Sequence, residues 1–206
     1  RNLNLKIMLV LMLSKKYFTA KTAGNFNNHI GLPLTILSTE KEHEALVAEM
    51  GMNHKGELSA LADLFEYDIA MITNIGYSHI ENLGSRENIR DAKLEILEGL
   101  KEGGTLIING DEPLLTQREY PYKTVKVGLT EGLDIWADEI KMDENRVSYT
   151  LHTTNEKMTV TLPCMGRHNV INSLFAVAAG LEAGISLENI KDGLLDYRSV
   201  GLRQNI

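Results

Sequence analysis

The chain has 206 residues, 43% of them hydrophobic and 24% charged. A chain of this size can hide roughly 70% of its unfolded surface, and a composition near the globular average argues against a disordered or fibrous protein. A net charge of −7 argues against non-specific nucleic-acid binding, which needs basic patches. The single cysteine, Cys164, excludes an internal disulfide framework and fits a reducing compartment such as the cytoplasm. The longest apolar run, residues 7–13 (IMLVLML), is far shorter than the roughly 20 residues of a membrane span. Lys15 and Lys16 follow it in place of a small-residue cleavage site, so it reads as a buried helix and not as a signal-peptide core.

In chain order, residues 5–17 are predicted as a helix and 21–33 as a polar, Asn- and Gly-rich loop. Residues 45–48 form a short apolar strand. Residues 57–66 form an amphipathic helix with Leu58, Leu61 and Phe65 on one face. A second strand spans 69–72. The clearest helix spans 86–100, with Ser85 as its N-cap and Gly103–Gly104 beyond its end. A third apolar strand spans 105–108. Residues 124–127, 135–140, 147–151 and 158–162 are β-branched or alternating runs between Gly, Asp and Asn, and read as antiparallel hairpins. A helix over 169–183 carries Val170, Leu174, Val177 and Leu181 on one face. Ser186 caps a last helix through Leu195. Alternating short apolar strands and helices predict an α/β fold with a mostly parallel, doubly wound sheet and a small antiparallel extension. No linker rich in Pro or Ser divides the chain.

Open α/β sheets bind ligands beyond the carboxyl ends of their strands. Here ALVA runs into Glu49, IAMI into Thr73-Asn74 with His79 five residues on, and TLII into Asn109-Gly-Asp111. Asp111 reads as an ordinary turn residue. Glu49 and His79 together suit a metal site, the carboxylate for Mg²⁺ and the imidazole for a further divalent ion. Lys93 lies four residues after Ile89 and four before Leu97, so it shares an apolar helix face. Snorkelling explains many such lysines. A lysine held there also has a lowered pKa, and its neutral amine can add carbon dioxide to become a carbamate oxygen ligand. Asn25, Asn27 and Asn28 lie in a Gly-flanked loop that suits recognition of a polar substrate. Capping explains Asn169 at a helix start, but not Asn172 inside the helix; an amide facing a ligand such as an adenine edge would.

Six segments stand in a familiar order: NFNNHIGLPLTIL, EMGMNHKGEL, ITNIGYSHIENLGS, AKLEIL, NGDEPLL and GRHNVINSLFAVAAG. Together, over about residues 14–203, they resemble the central domain of the Mur ligases. That resemblance implies a P-loop-NTPase-like domain of an ATP-dependent amide-bond former in cytoplasmic peptidoglycan synthesis, working as a monomer. The Asn-Asn-His-Ile-Gly and Thr-Asn-Ile-Gly segments point to the branch that joins D-alanyl-D-alanine to UDP-N-acetylmuramoyl-tripeptide through an acyl phosphate. By matching position, Glu49, His79 and Lys93 (as carbamate) resemble magnesium ligands. Asn169, Asn172 and Asn74 resemble nucleotide contacts, and Arg203 an arginine near the ATP phosphates. Asn25, Asn27 and Asn28 fall where the family meets its muramoyl peptide. Two anionic reactants repel, and metal ions neutralise the charge that develops.

The family's Gly-Lys-Thr phosphate loop is not found; residues 1–8 (RNLNLKIM) stand where it should end. The expectation is therefore residues 1–206 as a central domain without its phosphate loop, its UDP-binding domain or its C-terminal domain. The alternatives are a non-catalytic nucleotide-binding remnant, or another ligase of the same fold such as a folylpolyglutamate or cyanophycin synthetase. This polypeptide alone is expected not to turn over ATP; phosphate release above background with both substrates and Mg²⁺ would overturn that expectation.

Overall fold

A computed structural model describes residues 2–197. The chain begins with helix α1 (Leu3–Leu13), strand β1 (Thr19–Lys21), helix α2 (Gly31–Leu37) and strand β2 (Ala45–Val47). Next come α3 (Glu57–Ala62), β3 (Tyr67–Ile72), α4 (Ile80–Leu83) and α5 (Arg86–Leu94). A 3-10 turn (Glu95–Gly99) leads into β4 (Leu100–Asn109), followed by α6 (Pro113–Thr116) and β5 (Lys123–Gly128). The remainder is β6 (Ile135–Met142), β7 (Val147–His152), β8 (Lys157–Leu162), α7 (Arg167–Glu182) and α8 (Leu187–Leu195). These elements form two compact units, one of Ala20–Val125 and one of the residues on either side of that span.

In the unit Ala20–Val125, β3, β4 and the start of β5 lie side by side in that order. β3 and β4 are parallel, with Ala70 against Leu106 and Ile72 against Ile108. Both faces of a covered parallel sheet are apolar, which is why AMI and TLII read as uninterrupted hydrophobic runs. Leu58 and Leu61 of α3, Ile89 and Ala92 of α5, and Leu115 of α6 close the core against Ala70, Ile72, Leu106 and Ile108.

The helix predicted over 86–100 ends at Leu94, although Ser85 caps its start as expected by accepting from the Asn88 N–H. Tertiary contacts set the earlier end. The Tyr67 hydroxyl donates to the Ile96 carbonyl, and the Glu95 carboxylate accepts from the backbone N–H groups of Gly56 and Ser59. Gly99 then passes so close to α3 that a Cβ there would lie 2.6 Å from the Ala62 carbonyl oxygen. Gly103 and Gly104 are not a helix terminator. They lie within β4, where two steps along β3 stand against five along β4 and Gly103 takes φ +76°.

Three further expectations are corrected. The helix predicted over 57–66 stops at Ala62, because the chain must turn before β3 starts at Tyr67. The supposed loop over 21–33 contains the end of β1 and the start of α2. β2 pairs with β1 in a sheet of two strands, so Glu49 does not leave a strand of the larger sheet.

In the other unit, α1, α7 and α8 pack closely on one another. A Cβ on Gly180 would lie 2.7 Å from both Ile190 and Met12, and one on Gly193 would lie 2.8 Å from the Met12 backbone. α1 buries Leu5, Met8, Leu9 and Met12, as a helix and not a leader would. It ends four residues before the predicted Tyr17, whose hydroxyl donates to the Ala183 carbonyl. β6, β7 and β8 form the expected antiparallel meander, with Val147, Tyr149 and Leu151 buried on one face.

The first supposed hairpin is instead parallel: Val127 stands beside Ile135 and Gly128 beside Trp136. Only the last two residues of β5 overlap the first two of β6, so a short return suffices in place of a full crossover. The Asp134 carboxylate pins that return by accepting from the Lys126 N–H at 2.8 Å. Among the described residues no helix is long and apolar enough to cross a membrane.

Gly99→Ala is expected to destabilise the chain by about 1–3 kcal/mol, because backbone and a packed tyrosine ring must move to admit one methyl group. Urea unfolding of the two proteins measures the difference.

Candidate active site

Backbone groups that leave a sheet must find new hydrogen-bond partners. After β3 ends at Ile72, the carbonyls of Asn74 and Ile75 find theirs on α5. Lys93 Nζ donates to the Asn74 carbonyl at 2.8 Å. Arg86 donates to the Ile75 carbonyl through Nε at 3.1 Å and Nη2 at 2.7 Å. Burial holds the Lys93 amine below the ordinary lysine pKa, and the negative charge of Glu112 pulls the other way. The lowered pKa expected of Lys93 is thus present, but the helical face expected to run on to Leu97 is not, because α5 ends at Leu94; the Lys93 head group is tied to the loop that carries Asn74.

Glu112 belongs to the turn after β4. Its Oε2 accepts from Arg86 Nη2 at 2.7 Å, and its Oε1 accepts from the Leu114 N–H at the start of α6. Asn109 Oδ1 accepts from the Asp111 N–H at 2.9 Å, the Asx turn that its sequence suggests. His79 stands exposed at the start of α4 with φ +67°. Histidine tolerates this left-handed conformation better than most residues. Its carbonyl accepts from the N–H groups of Asn82 and Leu83.

The Asn-rich loop is built around its own amides. Asn27 Nδ2 donates to Glu49 Oε1 at 3.3 Å, and the Asn27 carbonyl accepts from the Gly51 N–H at 2.7 Å. The Glu49 N–H in turn donates to the buried Thr22 hydroxyl at 3.0 Å. Asn28 Oδ1 accepts from the N–H groups of Ile30 and Gly31, so it caps the entry to α2. Asn25 is exposed, and its carbonyl accepts from the Asn27 N–H. The expected residues therefore meet as two pairs in this unit, Asn27 with Glu49 and Asn74 with Lys93. His79 belongs to the same loop as Asn74.

This donor set suits magnesium in part. The Glu49 carboxylate is a hard oxygen ligand, whereas Lys93 as an ammonium only donates and gains ligand oxygens only as a carbamate. No three His, Cys, Asp or Glu side chains cluster for a metal among the described residues. A magnesium ion here would complete its shell with water and phosphate oxygens, as this ion commonly does.

In the other unit, Asn169 and Asn172 are buried on the first turns of α7. Asn169 Oδ1 accepts from Asn4 Nδ2 at 3.2 Å, and its Nδ2 donates to the Met165 carbonyl at 2.7 Å. Asn172 Oδ1 accepts from Asn2 Nδ2 at 2.7 Å. The interior asparagine is thus satisfied by a residue 170 positions away, a partner that no local pattern announces. Arg203 lies outside the described residues. Sequence reasoning also missed Arg86 and Glu112. The available signal was a cation at the first position of a helix, where the macrodipole disfavours it.

Residues 5–180 match the family model described as the Mur ligase middle domain. The chain belongs to that family. It is 44% identical over 198 residues to the UDP-N-acetylmuramoyl-tripeptide–D-alanyl-D-alanine ligase of Bacillus subtilis, an alignment covering 96% of this chain and 43% of that protein. Among solved structures it is similar to MurF from Acinetobacter baumannii, with a TM-score of 0.90 and 35% identity over 98% of this chain and 45% of the other. It is also similar to the MurF ligase of Thermotoga maritima in complex with ADP, with a TM-score of 0.87 and 28% identity over 96% of this chain and 46% of that one. The chain spans less than half the length of each of these relatives.

The lowered pKa of Lys93 sets a pH dependence. Between the folded-state pKa and the ordinary value of 10.5, the unfolded chain binds a proton that the folded chain resists, so stability rises with pH in that window. Wild type measured against Lys93→Met should therefore gain stability as pH rises toward the ordinary lysine value of 10.5. Chemical denaturation of both proteins checks this; a difference that stays flat or falls counts against the buried amine.

Proposed function

We propose that this chain is the central, nucleotide-handling segment of a cytoplasmic ligase that uses ATP and Mg²⁺ to join D-alanyl-D-alanine to UDP-N-acetylmuramoyl-tripeptide. The observation that carries the reading is the 44% identity to the Bacillus subtilis ligase across almost the whole chain. The ADP complex of the Thermotoga maritima relative supports the nucleotide. The reaction requires a peptide carboxylate to be activated and then attacked by the dipeptide amine. Bound magnesium would neutralise phosphate charge as that activation proceeds.

Within this reading, Glu49, His79 and Lys93 hold the metal. Lys93 does so after its neutral amine nitrogen attacks carbon dioxide; a C–N bond forms and one amine proton passes to solvent. Burial of the amine favours that neutral form. Glu49 is aimed by Asn27, so the Asn25, Asn27 and Asn28 loop both meets the muramoyl peptide and orients a metal ligand. Asn74 contacts the nucleotide, and Arg203 lies near its phosphates. Asn169 and Asn172 read the base, beside the Asn2 and Asn4 side chains that donate to their amide oxygens. Residues 1–206 act as one domain of the complete ligase.

The complete gene product is expected to release ADP only when both substrates and Mg²⁺ are present. Lys93→Ala should lower that rate about a hundredfold or more, since it removes a metal ligand. In ¹³C-bicarbonate, wild type should show a carbamate carbon signal that Lys93→Ala lacks. ADP release that ignores the muramoyl peptide or the dipeptide would sink the reading.

A further inference from the structure

We infer that Arg86 is a positioning residue that clamps the loop after β3, and with it His79 and the partner carbonyl of Lys93, onto α5 and the turn after β4. The inference rests on the proposed ligase reading for its catalytic consequence, but its geometry stands on the structure. Arg86 and Lys93 are seven residues apart on α5, two helical turns along one face. They take consecutive carbonyls of a single loop, Ile75 by Arg86 and Asn74 by Lys93. Displacing either carbonyl must therefore displace the other.

The guanidinium does more than hold one carbonyl. It donates twice to Ile75 and once to Glu112, a carboxylate with only 11% of its side chain exposed. Glu112 also caps α6 through its second oxygen. The third contact of the Arg86 guanidinium is the Tyr77 ring, whose centroid lies 5.4 Å from the guanidinium carbon. Tyr77 is 69% exposed and lies two residues before His79. One planar fork thus ties together the exit of β3, the start of α5 and the exit of β4. A lysine cannot reproduce this, because it has no paired N–H groups in a fixed plane.

Its position argues the same way. Arg86 is the first residue of α5, where a positive charge opposes the helix dipole. A residue serving helix stability there would be acidic or neutral, as Glu87 beside it is. The cation is explained by what it grips beyond the helix.

The test has one arm that needs no activity. Hydrogen exchange on this chain should show faster exchange in Arg86→Gln at the Ile80, Asn82 and Leu83 amides, which donate to the Tyr77 and His79 carbonyls. Protection in β3 and in the last turn of α5 should be unchanged. Unchanged exchange at those three amides overturns the clamp, whatever the reaction is.

The second arm uses the complete ligase. Per folded molecule, Arg86→Gln should lose about tenfold to a hundredfold in kcat with little change in KM for ATP, as misplaced reacting groups do. Arg86→Lys should recover little of it, while added guanidinium at low concentration should restore part of the rate of Arg86→Gln. Wild-type kcat per folded molecule in Arg86→Gln overturns the positioning role. An inactive wild type with faster exchange in the variant keeps the clamp and overturns the ligase reading instead.

Discussion

The carbonyl groups released at the end of β3 are the constraint around which this site is organised. Inside the parallel pair they would be paired by the neighbouring strand; past Ile72 they are not, and for the buried Ile75 an unpaired carbonyl would cost about as much as a lost buried hydrogen bond. The fold answers with two cations from one helix, Lys93 on Asn74 and Arg86 on Ile75. This answer also holds Lys93 against the loop, partly buried, where desolvation disfavours the charged amine. The same contacts therefore satisfy backbone chemistry and prepare a side chain whose neutral form is favoured.

Around that constraint, tight packing sets where helices stop. α5 carries a well-formed start, with Ser85 accepting from the Asn88 N–H. Its end is imposed from outside by Tyr67, Glu95 and the close approach of Gly99 to α3. Had the helix run on to Leu100, β4 could not have begun there, opposite Tyr67. In the other unit Gly180 and Gly193 play a comparable part, letting α1, α7 and α8 approach to distances that a Cβ would forbid.

The amides illustrate how one residue type can serve two ends. Asn28 caps α2 and Asn27 steadies Glu49, so the loop that looks made for a polar substrate is also held together by its own side chains. Asn169 and Asn172 are satisfied by Asn4 and Asn2 of α1 and its cap. Buried amides kept paired in this way meet the condition for burying them at all.

Local chemistry alone was enough to place the apolar strands at β3 and β4, the caps at Ser85 and Ser186, the buried character of α1, the strand-end position of Asn74 with His79 in the loop that follows, and Lys93 on the helix after them. Each of these rests on residues within a few positions of one another: periodicity, a capping side chain, a run of apolar groups. Folding in three dimensions decided the rest. It paired β2 with β1, made β5 and β6 parallel, ended α5 at Leu94, and joined Arg86 to Glu112 and Asn2 to Asn172. Those outcomes depend on contacts between residues from 8 to 170 positions apart, which reflect packing and the pairing of buried polar groups and leave no periodic mark on the sequence.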